Sequence, residues 1–219
     1  MSIEQHVYAT ARAGLPYLFA PAQGHSGAAP LVVFLHGARD RGNDLTKLLA
    51  WGFPKYVNEH APRPYYWLAL QIPEDSTWPE WQDELFALID KTRAVHDDID
   101  RVLLSGFSLG SAGVWQIASS HPERFAGLVV VSGRVPDAVG REGLARLQHT
   151  PVWVFHGDAD DKAPVAGAAE AVSTLQSLGA PARLTLIPGG DHFIADEVYG
   201  SDELQHWLAV TRAPSTATA

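Results

Sequence analysis

A serine at position 108 sits at the centre of Gly-Phe-Ser-Leu-Gly, inside the stretch LLSGFSLGSAGVW at residues 103–115. The apolar run before it reads as a strand and the segment after it as a helix, which puts Ser108 on a tight strand-to-helix turn. Such a turn lifts a hydroxyl above a sheet edge, and glycines flank it because side chains there would collide. The helix that begins at the turn directs N–H groups and partial positive charge towards it. A serine hydroxyl is a poor nucleophile until a base takes its proton, and the base needs an acid to orient it. Downstream, HGDADDKAP offers Asp158, Asp160 and Asp161, and PGGDHF offers His192. The order Ser, Asp, His is the one expected after a G-x-S-x-G elbow. Charge developing on a substrate oxygen needs two N–H donors: Leu109, directly after the nucleophile, and a residue of FLHGARDRG, assigned to Ala38. His36 in that loop reads as a structural hydrogen-bonding residue.

What must position these groups is a series of apolar runs alternating with helical patterns. HVYATARAG and LPYLFAPA form an opening antiparallel pair split by Gly14. LVVFLHG (31–37), YYWLALQIP (65–73), RVLLSGF (101–107), FAGLVVVSG (125–133), PVWVFHG (151–157) and ARLTLIPGG (182–190) read as strands, several of them as runs buried on both faces. Helices are expected over 44–59, N-capped by Asp44 and broken by Gly52 and Pro54, over 81–99, from Ser108 to before Pro122, over 164–178, and near 201–211. Alternation of this kind implies an α/β fold, a mostly parallel central sheet with helices on both faces. Sites in such sheets lie beyond the carboxyl ends of the strands. Ser108, the three acids and His192 each follow a strand of their own.

The chain of 219 residues reads as a single domain over 1–212 with a flexible tail at 213–219. Its 46% hydrophobic and 19% charged content is that of a globular protein. A formal net charge of −9, with no cluster of Lys and Arg, argues against nucleic acid as a partner. With no cysteine there is no disulfide framework, thiolate site or cysteine nucleophile, and a cytoplasmic location is expected. No apolar run approaches the ~20 residues of a membrane span. MSIEQHVYATARAG lacks the basic start and apolar stretch of a secretory signal. The ten histidines are scattered without H-E-x-x-H spacing, so neither a metal nor a cofactor is expected.

Taken together, FLHGARDRGNDL, GFSLGSAG, PVWVFHGDADDKAP and PGGDHF resemble the α/β-hydrolase serine esterases of the phospholipase/carboxylesterase type. Acyl-protein thioesterases and polyhydroxybutyrate-depolymerase-like esterases are related to that group. The resemblance runs from about residue 15 to about residue 210 and implies the α/β-hydrolase fold. It also implies that the acid is the last residue of H-G-x-x-D, here Asp160, and that the base is His192. Ser111 departs from the pattern, since many relatives carry a glycine there.

The expected activity is hydrolysis of carboxylic esters through an acyl-enzyme, with a small-molecule ester as partner. Between LVVVSG and PVWVFHG lies only RVPDAVGREGLARLQHT, too short for a large lid domain, which favours short or soluble acyl esters. An acyl thioesterase or lysophospholipase would use the same groups, and a non-catalytic binding protein of the same fold is the alternative from another class. Arg39, Trp78, Trp81 and Phe193 are candidate pocket residues. Arg39 and Arg41 could meet an acidic substrate group or simply be solvated.

Overall fold

The computed structural model describes residues 3–213. Of the expected tail, residues 214–219 lie outside the described residues. The strands are β1 (Glu4–Ala9), β2 (Gly14–Ala20), β3 (Ala29–Leu35), β4 (Tyr66–Leu70), β5 (Ile99–Phe107), β6 (Gly127–Val131), β7 (Val152–Gly157) and β8 (Ala182–Ile187). They form one eight-stranded sheet in the order β1-β2-β4-β3-β5-β6-β7-β8. From β4 to β8 neighbouring strands run parallel, while β2 pairs antiparallel with both β1 and β4.

The unbroken apolar strands have a simple cause. In β3, Leu31, Val33 and Leu35 join one core while Val32 and Phe34 join the other, because alternate side chains leave opposite faces of a strand. The same split divides Leu128 and Val130 from Val129 and Val131 in β6. Helices α3 (Gln82–Val95), α4 (Leu109–Ser120), α5 (Gly140–Arg146) and α6 (Val165–Ser177) cover the first face. Helices α1 (Leu45–Leu49), α2 (Gly52–Glu59), α7 (Ala195–Tyr199) and α8 (Asp202–Val210) cover the second. Burying each large apolar side chain contributes roughly 1.5–3 kcal/mol, so both covers are needed.

Residues 44–59 depart from expectation in an informative way. Asp44 does cap α1, accepting from the Thr46 N–H at 3.0 Å, but the break falls at Ala50–Trp51. Gly52 and Pro54 instead start α2: Gly52 adopts φ +62°, and Pro54 is tolerated in a first turn whose N–H groups have no helical partner. Trp51 is thereby left extended between two helices. Helices α5 and α7, of seven and five residues, were not foreseen as helices. Among the described residues no helix is long and apolar enough to cross a membrane.

Candidate active site

At the carboxyl end of β5 the chain turns into α4 through Ser108, whose φ of 52° and ψ of −112° lie in a region side chains rarely occupy. The turn is this sharp because the backbones nearly touch. A Cβ on Gly110 would lie 1.8 Å from the Leu35 carbonyl oxygen, and one on Gly106 would lie 2.5 Å from the Gly110 carbonyl. Ser111 stands where the resemblance implies a glycine in many relatives. Its buried Oγ lies 2.7 Å from the Gly106 carbonyl and 2.8 Å from that of Val131, and accepts from the Val131 N–H at 3.0 Å. The substitution therefore ties the elbow to β6.

His192 follows β8 and lies with Nε2 2.9 Å from Ser108 Oγ and Nδ1 2.8 Å from Asp160 Oδ2. Asp160 is buried, and burial alone would raise its pKa. N–H donation from Ala163, the His192 ring and the Lys162 N–H outweigh that and hold it below the ordinary carboxylate value. An ionised carboxylate only accepts, so Nδ1 of His192 carries the hydrogen and Nε2 is free to accept from the Ser108 hydroxyl.

The three neighbouring acids separate cleanly. Asp160 Oδ1 accepts from the backbone N–H groups of Lys162, at 2.8 Å, and Ala163, at 2.9 Å, leaving Oδ2 for His192. Asp158 turns to the Gly189 N–H at 2.7 Å, pinning the acid loop to the loop that carries His192. Asp161 faces solvent, with only the Lys162 ammonium at 3.6 Å. A residue that sequence reasoning passed over, His156, braces this loop from below. It is fully buried, donates from Nε2 to the Ala163 carbonyl at 2.7 Å, and lies 3.2 Å from Asp160 Oδ2.

The opposite loop, after β3, is held just as tightly. His36 donates from Nδ1 to the Gly37 carbonyl at 2.8 Å and accepts at Nε2 from the Ile72 N–H at 3.1 Å. Both nitrogens are thus used by the neutral ring, and burial pushes its pKa down to about 4. Arg41 bends back to donate to the Ala38 carbonyl at 3.1 Å and the Ser76 carbonyl at 3.0 Å, fixing the loop, and does not line the cavity of Ser108 and His192. The N–H groups of Ala38 and Leu109 donate to no protein acceptor among the described residues.

Ser108 and His192 open on a cavity of about 140 Å³ that Ala38, Arg39, Asp40, Trp51, Phe107, Lys162 and Phe193 help to line. Phe107 and Phe193 flank the His192 ring, with centroids at 5.3 and 5.4 Å, and Trp51 meets Phe107 edge-on at 4.6 Å. Of the candidate pocket residues, Arg39 and Phe193 line this cavity. Trp78 and Trp81 do not. A Thr77/Glu80 capping box folds residues 78–81 into a 3₁₀ turn, and Gly113 of α4 leaves the room into which Trp78 swings. Trp78 is fully buried and donates from Nε1 to the His36 carbonyl at 3.1 Å, while Trp81 packs in the same core under the Arg12 guanidinium. Trp78 supports the Ala38 loop from beneath, and neither tryptophan lines the cavity. Trp51, Phe107 and Lys162 were missed, and only the irregular spacing around Gly52 hinted at an exposed turn near Trp51.

The chain is similar to several known proteins. Residues 73–201 match the family model described as phospholipase/carboxylesterase. A protein of Oryza sativa subsp. japonica named "probable inactive carboxylesterase Os04g0669700" is 28% identical, over 86% of this chain and 87% of its own length. The "probable carboxylesterase SOBER1-like" of Arabidopsis thaliana is 26% identical, over 89% and 83%. Among solved structures, a thermostable esterase superposes with a TM-score of 0.74 at 25% identity, covering 94% of this chain, which spans 62% of that protein's length. Esterase PE8 superposes with a TM-score of 0.65 at 22% identity, covering 95% of this chain and 98% of its own.

Proposed function

The chain belongs to the phospholipase/carboxylesterase family of α/β-hydrolases, and we propose that it is an active serine esterase in which Ser108, His192 and Asp160 form the catalytic triad. The observation that carries this reading is the unbroken hydrogen-bond chain from Ser108 Oγ through His192 to Asp160, at 2.9 and 2.8 Å. The rice relative's name calls that protein inactive, and the name does not transfer to a chain that keeps all three groups in contact. A non-catalytic binding protein would have no use for a serine, a histidine and an aspartate held in one hydrogen-bonded chain.

Ser108 Oγ attacks the ester carbonyl carbon as His192 Nε2 takes its proton. The carbonyl oxygen becomes an oxyanion held by the N–H groups of Ala38 and Leu109, with the N-terminus of α4 adding partial positive charge. Collapse breaks the bond to the alcohol oxygen, which receives the proton from His192. Water then attacks the acyl carbon, gives its proton to His192, and Ser108 leaves with that proton as the acid is released. Asp160 stays ionised throughout and stabilises the imidazolium. A cavity of about 140 Å³ is well below the several hundred Å³ that enclose a drug-sized ligand, which fits a short acyl group.

The test is a fluorophosphonate label together with turnover of acetyl, butyryl and palmitoyl 4-nitrophenyl esters. The wild type should take the label and prefer the two short esters. Ser108→Ala should stay folded, take no label, and lose several orders of magnitude in kcat. Unchanged turnover in Ser108→Ala would remove the serine mechanism.

A further inference from the structure

The charge on this protein and the charge at its pocket have opposite signs. The chain carries a formal net charge of −9, yet the charged side chains lining the cavity of Ser108 and His192 are Arg39, Lys162 and Asp40. Asp40 is buried, and its Oδ1 is taken by the Trp51 indole N–H at 3.1 Å. Arg39 is exposed and rests on the Phe193 ring, its guanidinium carbon 4.8 Å from the centroid, with no direct ion pair and only a longer-range attraction to the Asp40 carboxyl. Lys162 has one loose contact, Asp161 at 3.6 Å, with both side chains at least half exposed. Exposed pairs of that kind hold their charges weakly. Neither cation at the mouth of the site is held in a close, buried ion pair.

Their placement also says which part of an ester they would meet. On the serine esterase reading, His192 delivers a proton to the departing alcohol, so the alcohol leaves on the His192 side. Both cations are banked there. Arg39 stacks on Phe193, the residue after His192, and the ring of Phe193 lies 5.4 Å from the imidazole. Lys162 follows the acid, and its backbone N–H is fixed to Asp160 Oδ1 at 2.8 Å, so its stem starts at a rigid point beside the triad. Arg41 is not among the residues lining the cavity, and two of its five N–H donors hold the Ala38 and Ser76 carbonyls.

We infer that the site selects esters whose alcohol portion carries an anionic group, a carboxylate or phosphate, received by Arg39 and Lys162. This inference rests on the serine esterase reading of the same site. A planar guanidinium held over an aromatic ring presents a fork that matches such an anion, and a nearby ammonium adds a mobile point charge.

The experiment compares kcat/KM for 4-carboxyphenyl butyrate and its neutral methyl ester, in the wild type, Arg39→Gln and Lys162→Gln, at low and high KCl. A second pair, 4-nitrophenyl monosuccinate and its methyl ester, moves the anion to the acyl side. The expected result is at least about a tenfold preference for the alcohol-side anion in the wild type at low salt, the size of ~1.4 kcal/mol. That preference should shrink with added KCl and should fall towards unity in each variant. A wild-type ratio near one, a ratio untouched by both substitutions, or a preference confined to the succinate pair would overturn the inference while leaving the esterase reading intact. No hydrolysis of any of the four esters by the folded protein would overturn both.

Discussion

The same five-residue pattern, His-Gly-x-x-Asp, closes two strands of this sheet, and the two copies do different work. After β3 it is His36-Gly37-Ala38-Arg39-Asp40; across the end of β7 it is His156-Gly157-Asp158-Ala159-Asp160. In both, the histidine is fully buried and the aspartate N–H turns back to the glycine carbonyl, at 3.2 Å in the first and 3.3 Å in the second. The aspartates then diverge. Asp160 receives two backbone N–H groups and the His192 ring, which pull its pKa down despite burial. Burial raises the pKa of Asp40, and the Trp51 indole, the Gly37 backbone and the charges of Arg39 and Lys47 together do not offset it. One loop is wired to hold a negative charge against a histidine; the other uses its acid to hold a pocket wall. The local motif builds the turn, and the partners supplied by distant segments decide what the turn does.

The most damaging way to probe that contrast is to neutralise each aspartate in turn. Asp160→Asn replaces an acceptor facing His192 with an amide that also donates, so the imidazole can settle in the wrong tautomer, a loss that reaches about 10⁴-fold in a comparable triad. Asp40→Asn keeps an oxygen for the Trp51 N–H and removes a charge that burial already disfavours, so a fall within about tenfold is expected. Steady-state kinetics on a butyryl ester, with folding checked by circular dichroism, measure both. Equal damage from the two substitutions would mean that the loops are not functionally distinct.

This pair also marks how far the sequence could be read. The strand ends that carry Ser108, Asp160 and His192 are legible because apolar runs and Gly-rich turns are local signals, and the structure brings those three side chains into contact. The walls of the pocket are not local. Trp51 lines it because α1 and α2 break one step before Gly52, and Phe107 lines it although it reads as an ordinary strand residue. Trp78 looked like a pocket residue beside a strand end, but the capping box and the space above Gly113 turn it into the core. Helix α7 is too short to give a periodic signal, and it is held by tertiary contacts: Asp196 accepts from the Gly52 N–H and pairs with Lys55 at 3.0 Å.

A smaller effect comes from the histidine of the first loop. Burial, helped by the neighbouring Arg41 charge, pushes the pKa of His36 from an ordinary 6.5 down to about 4 in the folded protein, and its bond from the Ile72 N–H uses the neutral ring. The unfolded chain therefore binds more protons between those values. Stability from this group is fully present above about pH 6.5 and is lost as pH falls towards 4, by about 3 kcal/mol across the window. Urea unfolding should show the wild type losing about 2 kcal/mol more than His36→Gln between pH 7 and pH 5. Parallel pH dependences in the two proteins would remove His36 as the acid-sensitive element of the Ala38 loop.

The finest distinction lies within the second loop, between Asp158 and Asp161 on either side of the Ala159–Asp160 pair. Asp158 bonds the Gly189 N–H at 2.7 Å, next to a backbone bond from the Ala159 N–H to the Gly190 carbonyl at 3.0 Å. Together these stitch the loop carrying the acid to the loop carrying His192, so Asp158 acts on the triad through the backbone. Asp161 has 79% of its side chain exposed and meets only Lys162, an arrangement worth about 0–1 kcal/mol. Asp158→Ala removes a charge-assisted bond at a partly hydrated position and should reduce kcat about three- to tenfold with KM little changed, since it loosens alignment and leaves the pocket lining intact. Asp161→Ala should stay within about twofold on a neutral ester. The two variants thus rank below Asp160→Asn and in a fixed order relative to each other. Should Asp161→Ala prove the more impaired of the two, the stitch between the loops is not what aligns His192. The alignment would then rest on the Asp160 carboxylate and the buried brace of His156 alone.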